Sequence, residues 1–173
     1  VITPGTVVEN SMLDETRNNF LCSICYEEDG LGLCFGDIST GDLTADQVLA
    51  PNSETLLHIL EDRLARYSPS EILLNPQALD LTGLADFIRE KLHAAVECQE
   101  SALYQDLGQC QARVSRQFGG QSLAQLELSD KPLAVKALSA LFDYLSRTQI
   151  TGLERMNEVD IGTDAGVMGL DIN

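Results

Sequence analysis

The sequence predicts an α/β fold: a three-stranded antiparallel meander followed by β-α-β crossovers, with additional C-terminal helices. Two rhythms and one composition carry that expectation. Short strand-like apolar segments run through Phe20–Leu49, alternating in Phe20–Tyr26, and apolar residues then recur at helical spacing from Ser53 onward. Glu27-Glu28-Asp29-Gly30 and Ser39-Thr40-Gly41-Asp42 punctuate the first stretch as turns. With 44% hydrophobic and 22% charged residues the chain is globular rather than disordered. Chains of this length bury roughly two-thirds of their unfolded surface, enough for a real core.

Residues 1–19 read as irregular, with a turn signal at Thr3-Pro4-Gly5-Thr6 and a break at Asn18-Asn19. Phe20–Tyr26 sets Phe20, Cys22, Ile24 and Tyr26 on one side, as a strand does. Gly30-Leu31-Gly32 fits the hairpin turn that follows. Gly32–Ser39 is apolar on both faces through Leu33, Cys34, Phe35 and Ile38, which places it centrally in a sheet. Leu43–Leu49 is the third strand. Ser53 is expected to cap a helix with Leu56, Leu57, Leu60 and Leu64 on its inner stripe. Glu54 at its start and Arg63 and Arg66 in its last turn suit the helix dipole, and Pro69 marks its end. Glu71–Asn75 is a short buried strand stopped by Pro76. Thr82 is expected to cap a second helix with Leu84, Phe87, Ile88 and Leu92 inward, and Ala94–Gln99 to form a fifth strand. The order β-β-β-α-β-α-β, with right-handed crossovers, is that of a ribonuclease-H-like fold.

The remainder is mainly helical. Asp106–Phe118 is a mostly polar helix closed by Gly119-Gly120. Asp130 is expected to cap the strongest helix, from Lys131 to about Gln149, with Pro132 in its first turn. Ala134, Leu138, Leu141, Phe142 and Leu145 form its stripe, and Ala137 and Ala140 thin an adjacent face for close packing. Val159–Gly162 and Val167–Ile172 return to a strand pattern.

Charge and chemistry narrow the function. Eleven Lys and Arg against 27 Asp and Glu give a net charge of −16. Phosphate contacts supply most nucleic-acid affinity, so this chain alone is not expected to bind DNA or RNA tightly. No apolar run approaches the ~18 residues a membrane span needs. The five cysteines, at 22, 25, 34, 98 and 110, read mostly as buried reduced thiols. Cys22 and Cys25 would point to opposite faces of one strand, and neither His58 nor His93 is spaced to complete a zinc site. A two-metal nuclease on this fold needs carboxylates midway along the first strand and at the end of the fourth. The first strand, Phe20–Tyr26, has no carboxylate, and Asn75 ends the fourth; Asp37 and Asp42 lack converging partners and read as turn acceptors. No phosphate-binding P-loop is present in the chain. Catalytic, cofactor and metal residues are therefore expected to be none.

Longer stretches are more specific than their physics. Val1-Ile2-Thr3-Pro4-Gly5-Thr6, Asn18-Asn19-Phe20-Leu21 and Gly36-Asp37-Ile38-Ser39-Thr40-Gly41 stand first. Ser70-Glu71-Ile72-Leu73-Leu74-Asn75, Gln117-Phe118-Gly119, Lys131-Pro132-Leu133-Ala134-Val135, Tyr144-Leu145-Ser146-Arg147-Thr148-Gln149 and Leu170-Asp171-Ile172-Asn173 follow in order. Together they resemble the MutS family of DNA mismatch-repair proteins across essentially the whole chain. The resemblance implies the non-catalytic connector domain at 19–152. It further implies a linker from an absent mismatch-reading domain at 1–18 and the start of the core (lever) domain at 153–173, as in a piece of a longer protein. By the same resemblance the parent is a cytoplasmic, dimeric, DNA-binding clamp that uses ATP and Mg, contacts mismatched DNA through other domains, and recruits MutL. Family members often carry Gly where Glu127 and Ser139 stand here. The polar helix, through Gln109, Gln111, Arg113 and Gln117, is the expected partner surface, in preference to the acidic hairpin Glu27–Asp29. The alternative reading is a free-standing acidic adaptor module on a ribonuclease-H-like core, with an active two-metal nuclease the remotest reading.

Overall fold

The structure, a computed structural model, describes residues 20–27, 30–50, 52–148, 153 and 156–161. The meander forms as β1 (Leu21–Glu27), β2 (Gly30–Gly36) and β3 (Leu43–Leu49). Helix α1 (Ser53–Tyr67) crosses to β4 (Glu71–Leu74), and a 3-10 turn at Pro76–Asp80 follows. Helix α2 (Leu84–Phe87) runs into a π turn at Ile88–Leu92 and leads to β5 (Ala95–Cys98). Then come α3 (Ala102–Gln105), α4 (Leu107–Gln117), α5 (Pro132–Thr148) and the two-residue β6 (Asp160–Ile161).

The sheet has the order β5-β4-β1-β2-β3-β6. Strand β2 is antiparallel to both its neighbours, and every other pairing is parallel. One antiparallel strand in this order is the ribonuclease-H-like arrangement. Side-chain alternation then splits the core in two. Cys22, Ile24, Leu31, Leu33, Phe35 and Val48 face α1 and α2, meeting Leu56, Leu60, Leu64, Leu84 and Ile88. Cys25, Cys34, Leu43 and Ala45 face α4 and α5 on the other side. Because β2 is covered on both faces, all seven of its residues are buried.

Helix α5 lies close on the sheet because both surfaces are thin. Gly30, Gly32 and Gly36 of β2 face it, and Ala134, Ala137 and Ala140 answer from the helix, fully buried. Gly32 is thus a packing glycine inside a strand. The hairpin reading of Gly30-Leu31-Gly32 fails because β2 begins at Gly30, paired with Glu27.

Other differences are local. Asn52, not Ser53, caps α1, its Oδ1 accepting from Thr55 N at 2.8 Å. Gly83 precedes α2 with no side-chain cap, leaving Thr82 outside the helix. Helix α5 starts at Pro132, so Asp130 stands two residues ahead of it, its carboxylate 3.3 Å from Lys131 Nζ. Arg63 is not a solvated helix-end cation; it is buried against Asp46. Residues 156–161 stay on this body: Met156 is fully buried, and β6 extends the sheet beside β3. Residues 1–19 and the expected strand Val167–Ile172 lie outside the described residues.

Candidate partner interface

The end of the sheet where carboxylates would gather holds neutral or bonded groups instead. Strand β1 reads Leu-Cys-Ser-Ile-Cys-Tyr-Glu, with Glu27 only at its last position. There the carboxylate meets Lys136 Nζ of α5 at 2.8 Å. Asn75, just past β4, is fully buried. Its Oδ1 accepts from Tyr26 N and its Nδ2 donates to Tyr26 O, both at 2.9 Å. The amide thereby imitates one more strand residue, a pairing a carboxylate could accept but not complete. Asp37 is buried and accepts from Ser39 N at 3.0 Å and Ser39 Oγ at 2.6 Å, as an Asx turn does. Among the described residues, no three His, Cys, Asp or Glu side chains converge as metal ligands.

Four of the five thiols are buried in the core. Cys22 and Cys25 fall in opposite core clusters, as their spacing on a strand requires. Burial pushes Cys22 and Cys25 well up, and Cys34 up to about 12. Burial also raises Cys110, and only Cys98 is exposed. His58 is exposed beside Glu61, and His93 closes the π turn after α2 with a left-handed backbone.

Helix α4 is the polar element on the outer layer. Asp106 caps it, Oδ1 accepting from Gln109 N at 3.2 Å. Cys110 and Val114, one helical turn apart, are its buried stripe, continued by Phe118. The expected interface residues divide on this geometry. Gln109 is exposed and Gln111 half-buried. Arg113 and Gln117, each three residues after a stripe position, are half-buried and engaged inward. Arg113 Nη1 donates to the buried Ser139 Oγ at 2.6 Å. Gln117 Nε2 donates to Leu153 O and Met156 O, both at 2.9 Å, and ties the chain after α5 to α4.

The sequence reading missed the buried ion pair. Arg63 Nη1 donates to Asp46 Oδ2 at 2.7 Å across the α1–β3 contact. The signal was present: Arg63 follows Leu60 by three on the apolar stripe, and Asp46 shares strand parity with the inward Val48.

A ribonuclease-H-like sheet with an amide and a turn acceptor where that fold would gather carboxylates, and a polar helix on its outer layer, defines an α/β domain of ribonuclease-H-like topology. No membrane-crossing helix is found among the described residues. The profile of MutS domain II matches residues 19–158, and the chain belongs to that family, the connector domain of the mismatch-repair protein MutS. It is 31% identical over its whole length to the DNA mismatch repair protein MutS of Caldanaerobacter subterraneus subsp. tengcongensis, covering 19% of that protein. It is 34% identical to MutS of Dehalococcoides mccartyi over 99% of the chain and 18% of the relative. MutS of Alkaliphilus metalliredigens gives 32% identity over 100% of the chain and 19% of the relative. The chain thus spans less than a fifth of the length of these curated relatives. T. thermophilus RuvC, in complex with a Holliday junction substrate, aligns with a TM-score of 0.46 and 13% identity over 76% of this chain and 97% of RuvC.

Proposed function

We propose that this connector joins a mismatch-reading domain to the clamp and ATPase body of a dimeric MutS, and that the outer face of α4 docks MutL. In this reading residues 1–18 lead in from the mismatch-reading domain and the core domain begins beyond Ile161. ATP, Mg and mismatched DNA engage other domains of the parent, in the cytoplasm. The observation that supports the docking surface is the division of labour along α4. Arg113 and Gln117 fasten the helix inward, while Gln109 is exposed and the half-buried Gln111 stands beside it on the helix. Amide heads recognise a partner without an exposed apolar patch.

The test uses full-length protein with ATP and mismatched DNA. Gln109→Glu with Gln111→Glu should lower MutL recruitment at least about tenfold, the loss of roughly 1.4 kcal/mol of contact energy, with mismatch binding unchanged. Glu28→Gln with Asp29→Asn should leave recruitment as it was. The reverse pattern moves the docking site to the acidic hairpin and rejects α4.

A further inference from the structure

Beneath α1, where β6 borders β3, lies a cavity of about 70 Å³ whose lining includes Thr44, Asp46, Arg63, Arg66, Tyr67 and Asp160. That is several times the ~10–15 Å³ one ordered water requires. Arg63 is among its lining residues and is 5% exposed. Only Nη1 of its guanidinium is used, on Asp46. Nε and Nη2 are buried with no hydrogen-bond partner. Those two N–H groups lie on the same side of the planar guanidinium and form a two-donor edge. An edge of this kind fits the two oxygens of a carboxylate in parallel.

We propose that this cavity is a carboxylate-binding site, filled by an Asp or Glu side chain from another part of the longer protein. The donors decide the ligand class, because a guanidinium edge accepts only hydrogen-bond acceptors and carries positive charge. Arg66, paired with Asp62 at 3.3 Å, adds a second guanidinium to the lining. Asp160 lines the cavity with the opposing sign, and the chain as a whole carries −16. The surrounding field therefore weakens the binding of a freely diffusing anion, which fills the site only at high concentration. A carboxylate carried on the same polypeptide meets the same field, but tethering gives it a high effective concentration that offsets the repulsion. The site is separate from α4 and does not depend on the MutL reading.

The experiment follows the Arg63 Nε–H resonance in protein with isotope-labelled arginine, the signal being identified by its loss in Arg63→Lys. In the 173-residue chain, sodium acetate should shift this resonance downfield with saturation, while sodium chloride at equal ionic strength leaves it in place. No acetate-dependent movement beyond that of chloride overturns the site. In the full-length protein the resonance should already stand at the acetate-shifted position and ignore added acetate. If it still titrates there, the protein supplies no carboxylate of its own and the tethered ligand is rejected in favour of a small carboxylate anion. Because these readings come from the wild-type chain, they hold even if Arg63→Lys folds poorly.

Discussion

Replacing Gly32 by alanine tests how α5 sits on the sheet. A Cβ built at Gly32 would stand 2.1 Å from Leu133 O, 2.3 Å from Leu133 C and 2.8 Å from Ala134 N. All three are backbone atoms of the first turn of α5, so no rotamer change relieves them. The helix end must move by more than an ångström. Overpacking of a tight core costs about 1–3 kcal/mol, and a rigid backbone neighbour puts this site at the upper end. The same movement strains the bond from Leu133 N to Gln47 Oε1, 2.7 Å long, whose loss adds about 1 kcal/mol. The expected loss is about 3–4 kcal/mol, a large share of the roughly 5–15 kcal/mol that holds a domain folded. Gly30→Ala is the control. Its Cβ meets Leu133 Cδ1 at 2.4 Å and Leu49 Cδ2 at 3.0 Å, both flexible side-chain ends. Leu49 is 70% exposed and can swing away, so about 1 kcal/mol is expected there. Urea unfolding followed by circular dichroism reads both, with the slope unchanged and the midpoint shifted. If Gly32→Ala costs no more than Gly30→Ala, the close seating of α5 on β2 is wrong.

Three further outcomes follow from the same packing. Leu141→Ala and Phe142→Ala should each destabilise by about 3 kcal/mol, since Leu141 is fully buried and Phe142 meets the Phe118 ring edge-on at 5.6 Å; unchanged urea midpoints would put the buried face of α5 elsewhere. Glu127 holds a left-handed backbone with φ of 64°, so Glu127→Gly should raise stability by about 1 kcal/mol, and a fall in the midpoint would contradict that conformation. A thiol reagent at neutral pH should modify one cysteine, Cys98, in the folded chain and all five after unfolding; rapid modification of Cys22 or Cys34 would refute their burial.

Strands and long helices were legible because period and burial agree there. Leu43–Leu49 matches β3 residue for residue, and the two-sided apolarity of Leu33–Phe35 placed β2 centrally. Helix starts were less legible, because Asn52 and Ser53 are both good caps and only backbone geometry separates them. Gly32 looked like a turn residue because glycine marks turns and close approaches alike, and the approach is made by a helix a hundred residues later. That an amide, Asn75, stands at the end of β4 was readable from the sequence. What Asn75 does was not, since its clasp on Tyr26 joins residues 49 positions apart. On α4 the residue types pointed to hydrogen bonding, but only the fold sorts Arg113 and Gln117, which bond inward, from Gln109, which faces out.

Parallel pairing fixes how this module would answer to tension. Strands β1, β3 and β6 run the same way, so the chain enters the sheet at the lower end of β1 and leaves it at the upper end of β6. A pull on the two flanks therefore drags these strands lengthwise past one another, loading their ladders in shear rather than peeling them bond by bond. The resistance is graded. Strand β6 holds β3 through two register pairs and would slip first, before the longer ladders of the core strands open. Strand β1 is held by seven pairs to β2 and four to β4, and would yield last. Load applied along the strands would therefore meet a short, weakly held step at β6 before the firmly held β1.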